Sequence, residues 1–160
     1  MISEIMKKMI SYSEGNLHDI NHFIKVWTYA KTIGELEHLD KDTQLVLEIA
    51  AILHDIACPV LRERYGNADG RLQELEGVPL ANDFLEDFEV TKEQLARILF
   101  LIGHHHNTRE IDGIDYQILI EADYIVNAEE NQYSSGSIAN VRNNIFKTKS
   151  GMYLLDKIFC

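Results

Sequence analysis

Proline, cysteine and long apolar runs are scarce in this 160-residue sequence, and each scarcity excludes something. Only Pro59 and Pro79 occur; proline interrupts helix interiors, so so few of them suit a mostly helical chain. The two cysteines, Cys58 and Cys160, belong to no CxxC pair. Neither a disulfide framework nor a cysteine zinc site is expected, and a reducing cytoplasm is the simplest compartment. Apolar runs are as short as Ile49 to Leu53 and Ile98 to Ile102. A membrane helix needs about 20 mainly apolar residues, so no span is expected. The opening MISEIMKKMISYSEG lacks an apolar h-region and a small-residue cleavage site, which gives no support for export. Sustained apolar–polar alternation is missing, which argues against strands. No repeat, low-complexity tract or linker divides residues 1–160, and the length fits one domain. Basic residues are also few, 15 against 26 acidic, for a formal net charge of -11. Such a surface repels a nucleic-acid polymer. A small phosphorylated substrate stays open, because a bound cation reverses the sign locally.

Helical signals fill the chain instead. Ile2, Ile5, Met6, Met9 and Ile10 share a face over residues 2–12. Asp19 is a plausible N-cap for a helix from Ile20 to about His38, with Phe23, Val26, Trp27, Ala30 and Ile33 on its apolar face. Asp40 or Asp42 could cap the next helix, which carries Leu45, Ile49, Ile52 and Leu53 and ends near Ala57. A short helix over 60–65 precedes the turn-rich YGNADG, and another is expected from Pro79 to Phe88. Thr91 with Gln94 matches a capping box opening a helix that reaches His104 to His106. A helix at 114–128, the turn YSSGS and helices at 137–147 and 150–159 complete an all-α, compact single-domain bundle.

The residues that could carry chemistry stand out by placement. His22 lies in the first turn of its helix, His54 and Asp55 end the apolar EIAAILHDIA, and Asp123 sits inside ILIEADYIVNA. A single histidine on an apolar face is ordinarily a satisfied core residue. A carboxylate there is costly unless paired or bound, and three separated segments repeat the pattern.

His22, the pair His54-Asp55 and then Asp123 resemble the His…His-Asp…Asp signature of the HD-domain metal-dependent phosphohydrolases. The contexts HDINHFIKVWTYAKTIGE, AAILHDIA and ILIEADYIVNAEE resemble the family's motif helices, over about residues 17–130. The resemblance implies an HD-type helical domain, with the helices at 137–159 packed on the motif-bearing part. It implies a divalent ion held by His22, His54, Asp55 and Asp123. Two imidazoles with two carboxylates suit Mn, Fe, Co, Ni or Zn, with Mg possible. Metal-activated water would be the nucleophile on a phosphate ester, with Asp55 orienting or deprotonating it.

The run His104-His105-His106 lies where family members often place further histidines. His104 and His105 are favoured over His106 as the residues facing the site, as catalytic groups steadying the phosphate or holding a second ion. Members with two metals carry another histidine soon after His-Asp, and residues 56–103 contain none. Glu74 or Glu76 could substitute. One firmly held ion is therefore expected, with a second possible at Asp55 and His104 or His105. Lys25 and Arg62 are the leading cations for a substrate anion, with Arg64 and Arg71 behind them; Glu48 could orient a ligand. Cys58 is expected to be structural.

The expected activity is hydrolysis of a small phosphorylated metabolite, with a nucleotide as the leading class. The alternatives are a sensor binding a nucleotide or signalling phosphate in the same pocket without turnover and, less favoured, a di-iron oxygenase on the same scaffold. Nothing resembles a coiled coil, so oligomeric state stays open.

Overall fold

A computed structural model describes residues 1–67 and 69–159. Cys160 lies outside the described residues. The described residues form nine helices: α1 Ile2–Tyr12, α2 Leu17–Leu36, α3 Lys41–Leu53, α4 Cys58–Tyr65, α5 Gly70–Leu85, α6 Lys92–Ile102, α7 Ile114–Glu130, α8 Ser135–Asn144 and α9 Lys149–Phe159. The all-α expectation holds among the described residues, which include no strand.

Local chemistry explains most of the boundaries. Asn16, not Asp19, starts α2: its side chain accepts from the Asp19 backbone N–H at 3.3 Å. Asp19 is therefore free to face a neighbouring helix from the first turn. Asp40 caps α3 by accepting from the amides of Asp42 and Thr43. The capping box at α6 forms in both directions between Thr91 and Gln94. Pro59 sits in the first turn of α4, where its missing N–H costs nothing.

α5 departs from expectation. It starts at Gly70, not Pro79, and carries Pro79 in its interior, where proline costs a helix about 3 kcal/mol. Tertiary packing offsets that cost. Gln73, Gly77, Ala81, Phe84 and Leu85 form its buried stripe, and α5 packs on α6. The small residue at Gly77 allows the approach, since a Cβ there would lie 3.1 Å from Ile102 Cγ2.

α3 is the axis of the bundle. It is buried continuously from Val46 to Leu53 and packs against α1, α2, α6 and α7. α2 presents Phe23, Val26, Ala30 and Ile33, and α7 buries eleven residues. The stretch Lys41–Tyr65 is long and apolar enough, by length and composition, to cross a membrane, contrary to the expectation from short runs. In the fold, 72% of its most apolar window is buried, so its hydrophobicity is that of a core. The residue 54–57 turn also divides it into two helices.

Two carboxylates help fasten the C-terminal helices: Glu37 accepts from the Ser150 amide at 2.8 Å, and Glu121 anchors the segment before α9. Glu121 of α7 is fully buried. Its Oε1 accepts from Gln117 Nε2 at 2.7 Å and from the amides of Lys147 and Thr148 at 2.7 and 3.0 Å. Its Oε2 accepts from the Thr148 hydroxyl. Gly151 is packed against this cluster, and a Cβ there would fall 2.0 Å from Glu121 Oε2. Gly151→Ala should therefore lower unfolding free energy by about 1–3 kcal/mol in urea titration; an unchanged midpoint would refute the clamp.

Candidate metal centre

The bundle brings four separated segments together at one end of α3. His22 comes from the second turn of α2. His54 caps the C-terminus of α3, and Asp55 follows in the turn. Asp123 lies midway along α7, and His105 lies in the turn after α6. His22 Nε2 lies 3.2 Å from His54 Nε2, 3.3 Å from Asp123 Oδ1 and 3.6 Å from Asp55 Oδ2. His54 Nε2 lies 3.5 Å from both Asp55 Oδ2 and Asp123 Oδ1. Across the site, His105 Nε2 lies 3.5 Å from Asp55 Oδ1.

The outer nitrogens decide what this cluster can hold. His22 Nδ1 donates to Glu130 Oε2 at 2.8 Å, His54 Nδ1 to the Ala51 carbonyl at 3.0 Å and His105 Nδ1 to the Ile102 carbonyl at 2.8 Å. These acceptors carry no hydrogen, so each neutral ring spends its proton outward and points an Nε2 lone pair inward. Lone pairs at 3.2 Å, flanked by two carboxylates, repel one another unless a cation lies between them. His105 Nε2 is buried without a hydrogen-bond partner, an arrangement costly unless something binds it. Donors bonded to one ion at about 2.0–2.2 Å sit roughly 3.0–3.6 Å apart, and the separations above fall in that range. The residues therefore fit a divalent cation. His22, His54 and Asp123 form one donor set, and Asp55, His105 and His106 form a second. Asp55 turns Oδ2 to the first and Oδ1 to His105.

Residues 19–133 match the HD domain. The chain belongs to the HD-domain family. The fold of this HD domain is similar to the crystal structure of a predicted HD superfamily hydrolase from an uncultured Thermotogales bacterium. The two are 21% identical with a TM-score of 0.65, over 97% of this chain and 83% of the other. No curated protein matches the chain significantly.

Electrostatically, this HD domain holds negative charge inward. Burial opposes ionisation of Asp55 and Asp123, but the neighbouring histidines outweigh it and keep both well below the usual carboxylate range. Burial also disfavours a charged His22, yet hydrogen bonding and charge from Asp123, with Asp55 and Glu130, raise it to about 9. Without a metal, a proton takes the cation's place. Burial, then the charge of His105, lowers His106, which keeps that ring a neutral donor. Burial and then the Asp55 charge push the Cys58 thiol up, so it stays an inert neighbour.

Four expected site residues sit differently from expectation. His104 turns away from the cluster: its Nδ1 donates to the Phe100 carbonyl at 2.7 Å and its exposed ring stacks on Phe100. That choice followed the family pattern of an apolar pair before the first histidine; the chain turns after Gly103, and His106 takes the second position beside His105. Lys25 is bound by Glu129 and Glu130 at 2.9 and 3.0 Å. Arg62 is bound by Asp19 and lines a separate cleft of about 510 Å³, which none of the ligand candidates lines. Glu48 instead accepts from the Trp27 indole at 2.9 Å and from Gln44 at 3.0 Å, joining α2 to α3. Of the other residues considered, Glu74 accepts from the His106 amide at 3.0 Å, Glu76 pairs with Arg64, and Arg71 is exposed.

Two site residues escaped sequence reasoning. Asn127 donates to Asp123 Oδ1 at 2.8 Å, and Glu130 Oε2 accepts from His22 Nδ1 at 2.8 Å. With Asp123 they form an i, i+4, i+7 polar stripe on α7, and that periodicity was the available signal. A cleft of about 150 Å³ reaches the centre past His105, His106, Asp123, Tyr124, Asn127 and Tyr133.

His105→Ala should weaken Mn²⁺ or Co²⁺ binding by more than about tenfold in calorimetry, whereas His104→Ala should stay within about twofold. Equal effects would overturn the assignment. In the metal-free protein, the raised His22 pKa adds stability that is fully present below 6.5 and lost as pH rises through about 9. A metal must displace that proton, so affinity should climb about tenfold per pH unit from neutrality and flatten above about 9. A flat pH–affinity profile would contradict the proton's place.

Proposed function

We propose that this HD domain is a metal-dependent phosphohydrolase acting on a small phosphorylated metabolite, with a nucleotide as the leading class. The HD superfamily is one of metal-dependent phosphohydrolases, and the chain's membership supports the reaction class. The observation that carries the reading is the convergence of inward imidazole lone pairs on two ionised carboxylates, reachable through a cleft. His22, His54, Asp55 and Asp123 would hold the ion; Asp55, His105 and His106 offer a place for a second. Mn, Fe, Co, Ni and Zn all suit this nitrogen–oxygen set, and Mg suits it less.

A divalent ion supplies Lewis acidity toward a phosphoryl oxygen and acidifies a water. The protein contributes the rest. Asp55, 28% exposed in its side chain against 16% for Asp123, would orient the attacking water: held well below the usual carboxylate range, it stays ionised and accepts a hydrogen bond from that water. His105 and His106 line the cleft where phosphate oxygens would lie. At about 150 Å³, that cleft falls below the roughly 300–1,000 Å³ of pockets enclosing a whole drug-sized ligand. It suits a phosphoryl group and its immediate attachment, with the remainder of the metabolite outside against the exposed Tyr133 ring. Lys25 and Arg62 are already paired, which favours the metal centre and its histidines as the anion's main partners.

Protein purified without chelator should contain a divalent transition metal. With Mn²⁺ or Co²⁺ added, it should hydrolyse members of a nucleotide and phosphate-ester panel. Asp55→Ala should lose both bound metal and turnover by at least about a hundredfold. A variant retaining both at the parent level would overturn the reading. Saturable nucleotide binding with no turnover across the panel would instead establish the sensor.

A further inference from the structure

The three inward-facing imidazoles are not held alike. His54 and His105 follow helix ends, and each donates from Nδ1 to a carbonyl of the last turn before it, Ala51 and Ile102. Those carbonyls are free because a helix leaves its final carbonyls without amide partners. His22 has no such option. It lies inside α2, where carbonyls are consumed by the helix itself, so its orienting acceptor must come from elsewhere. That acceptor is Glu130, 108 positions away at the end of α7.

Glu130 occupies an unfavourable place for an acid. Carboxylates at a helix C-terminus face the negative end of the dipole, and Glu129 adds like charge beside it. Lys25, one turn beyond His22 on the same helix, offsets both. Its ammonium donates to Glu129 Oε2 at 2.9 Å and to Glu130 Oε1 at 3.0 Å. The Glu130 side chain is only 14% exposed; its Oε1 accepts from Lys25 and its Oε2 from His22, with His18 Nε2 3.9 Å from that Oε2.

We propose that Glu130, held by Lys25, is the positioning residue of the metal centre: it fixes the His22 ring with Nε2 aimed at the ion, and Lys25 acts through it rather than on the substrate anion. The inference rests on the reading of the cluster as a metal site. A hydrogen-bonded carboxylate keeps a ligating imidazole in one tautomer and raises its basicity, and losing such a partner costs about 10–100-fold in metal affinity.

Mn²⁺ titration by calorimetry, followed by titration of the Mn²⁺-loaded protein with inorganic phosphate, tests this. Glu130→Ala should weaken Mn²⁺ binding about 10–100-fold. Glu130→Gln keeps an acceptor for Nδ1 without the charge and should fall between wild type and Glu130→Ala. Lys25→Met should weaken Mn²⁺ binding about three- to tenfold while leaving phosphate affinity within about twofold. Glu129→Ala, whose carboxylate does not touch His22, should leave Mn²⁺ affinity within about twofold. Thermal melting of each metal-free variant separates loss of folding from loss of affinity. Folded Glu130→Ala and Glu130→Gln with wild-type Mn²⁺ affinity would overturn the proposal alone. So would a Lys25→Met variant that loses phosphate but not Mn²⁺. A wild-type protein that takes up no Mn²⁺ would overturn this proposal and the metal reading together.

Discussion

Repulsion among donors is the constraint on which this structure turns. Three imidazoles spend their Nδ1 protons outward and bring Nε2 lone pairs up to two ionised carboxylates in largely buried space. Left without a metal, that arrangement takes up a proton on His22, whose pKa its carboxylate neighbours raise to about 9. The surrounding helices hold it together, and a cation relieves it. The site therefore favours positive charge, and the net acidity of the chain adds to the field that draws cations in.

The bundle is arranged to make that confinement rigid. α3 ends where the donors meet, and its continuous burial leaves His54 little freedom to retreat. α2 and α7 flank it with His22 and Asp123, and α6 delivers His105 through a short turn. The supports come from helix termini where termini are available and from a second helix where they are not. α5 matters less for its sequence than for its position: it packs on α6 and sets Glu74 against the His106 amide.

Much of this was legible beforehand, for identifiable reasons. Amphipathic periodicity located most of the helices, and His22, His54, Asp55 and Asp123 announced themselves as polar groups in apolar surroundings. The first half of α5 escaped because its buried positions there are Gln73 and Gly77, a polar and a small residue that read as surface. His104 was favoured over His106 because the family resemblance puts the first histidine after an apolar pair, a pattern that says nothing of the turn the chain makes after Gly103. Lys25 and Arg62 looked like free cations because their partners, Glu130 and Asp19, are 105 and 43 positions distant. Pairing between far segments leaves little local trace in a sequence. Asn127 and Glu130 did leave a trace, as a polar stripe on α7, but on an exposed-looking helix end it passes for solvation.

The apolar stretch Lys41–Tyr65 has one more consequence. During synthesis it leaves the ribosome well before α6 and α7, which supply two of the helices it packs against, so only α1 and α2 are present to shelter it. Until residue 130 has been made, this apolar stretch lacks the α7 face that covers it in the fold. The donor cluster at the end of α3 is therefore completed only by the last of the helices that bury it, since α7 carries Asp123.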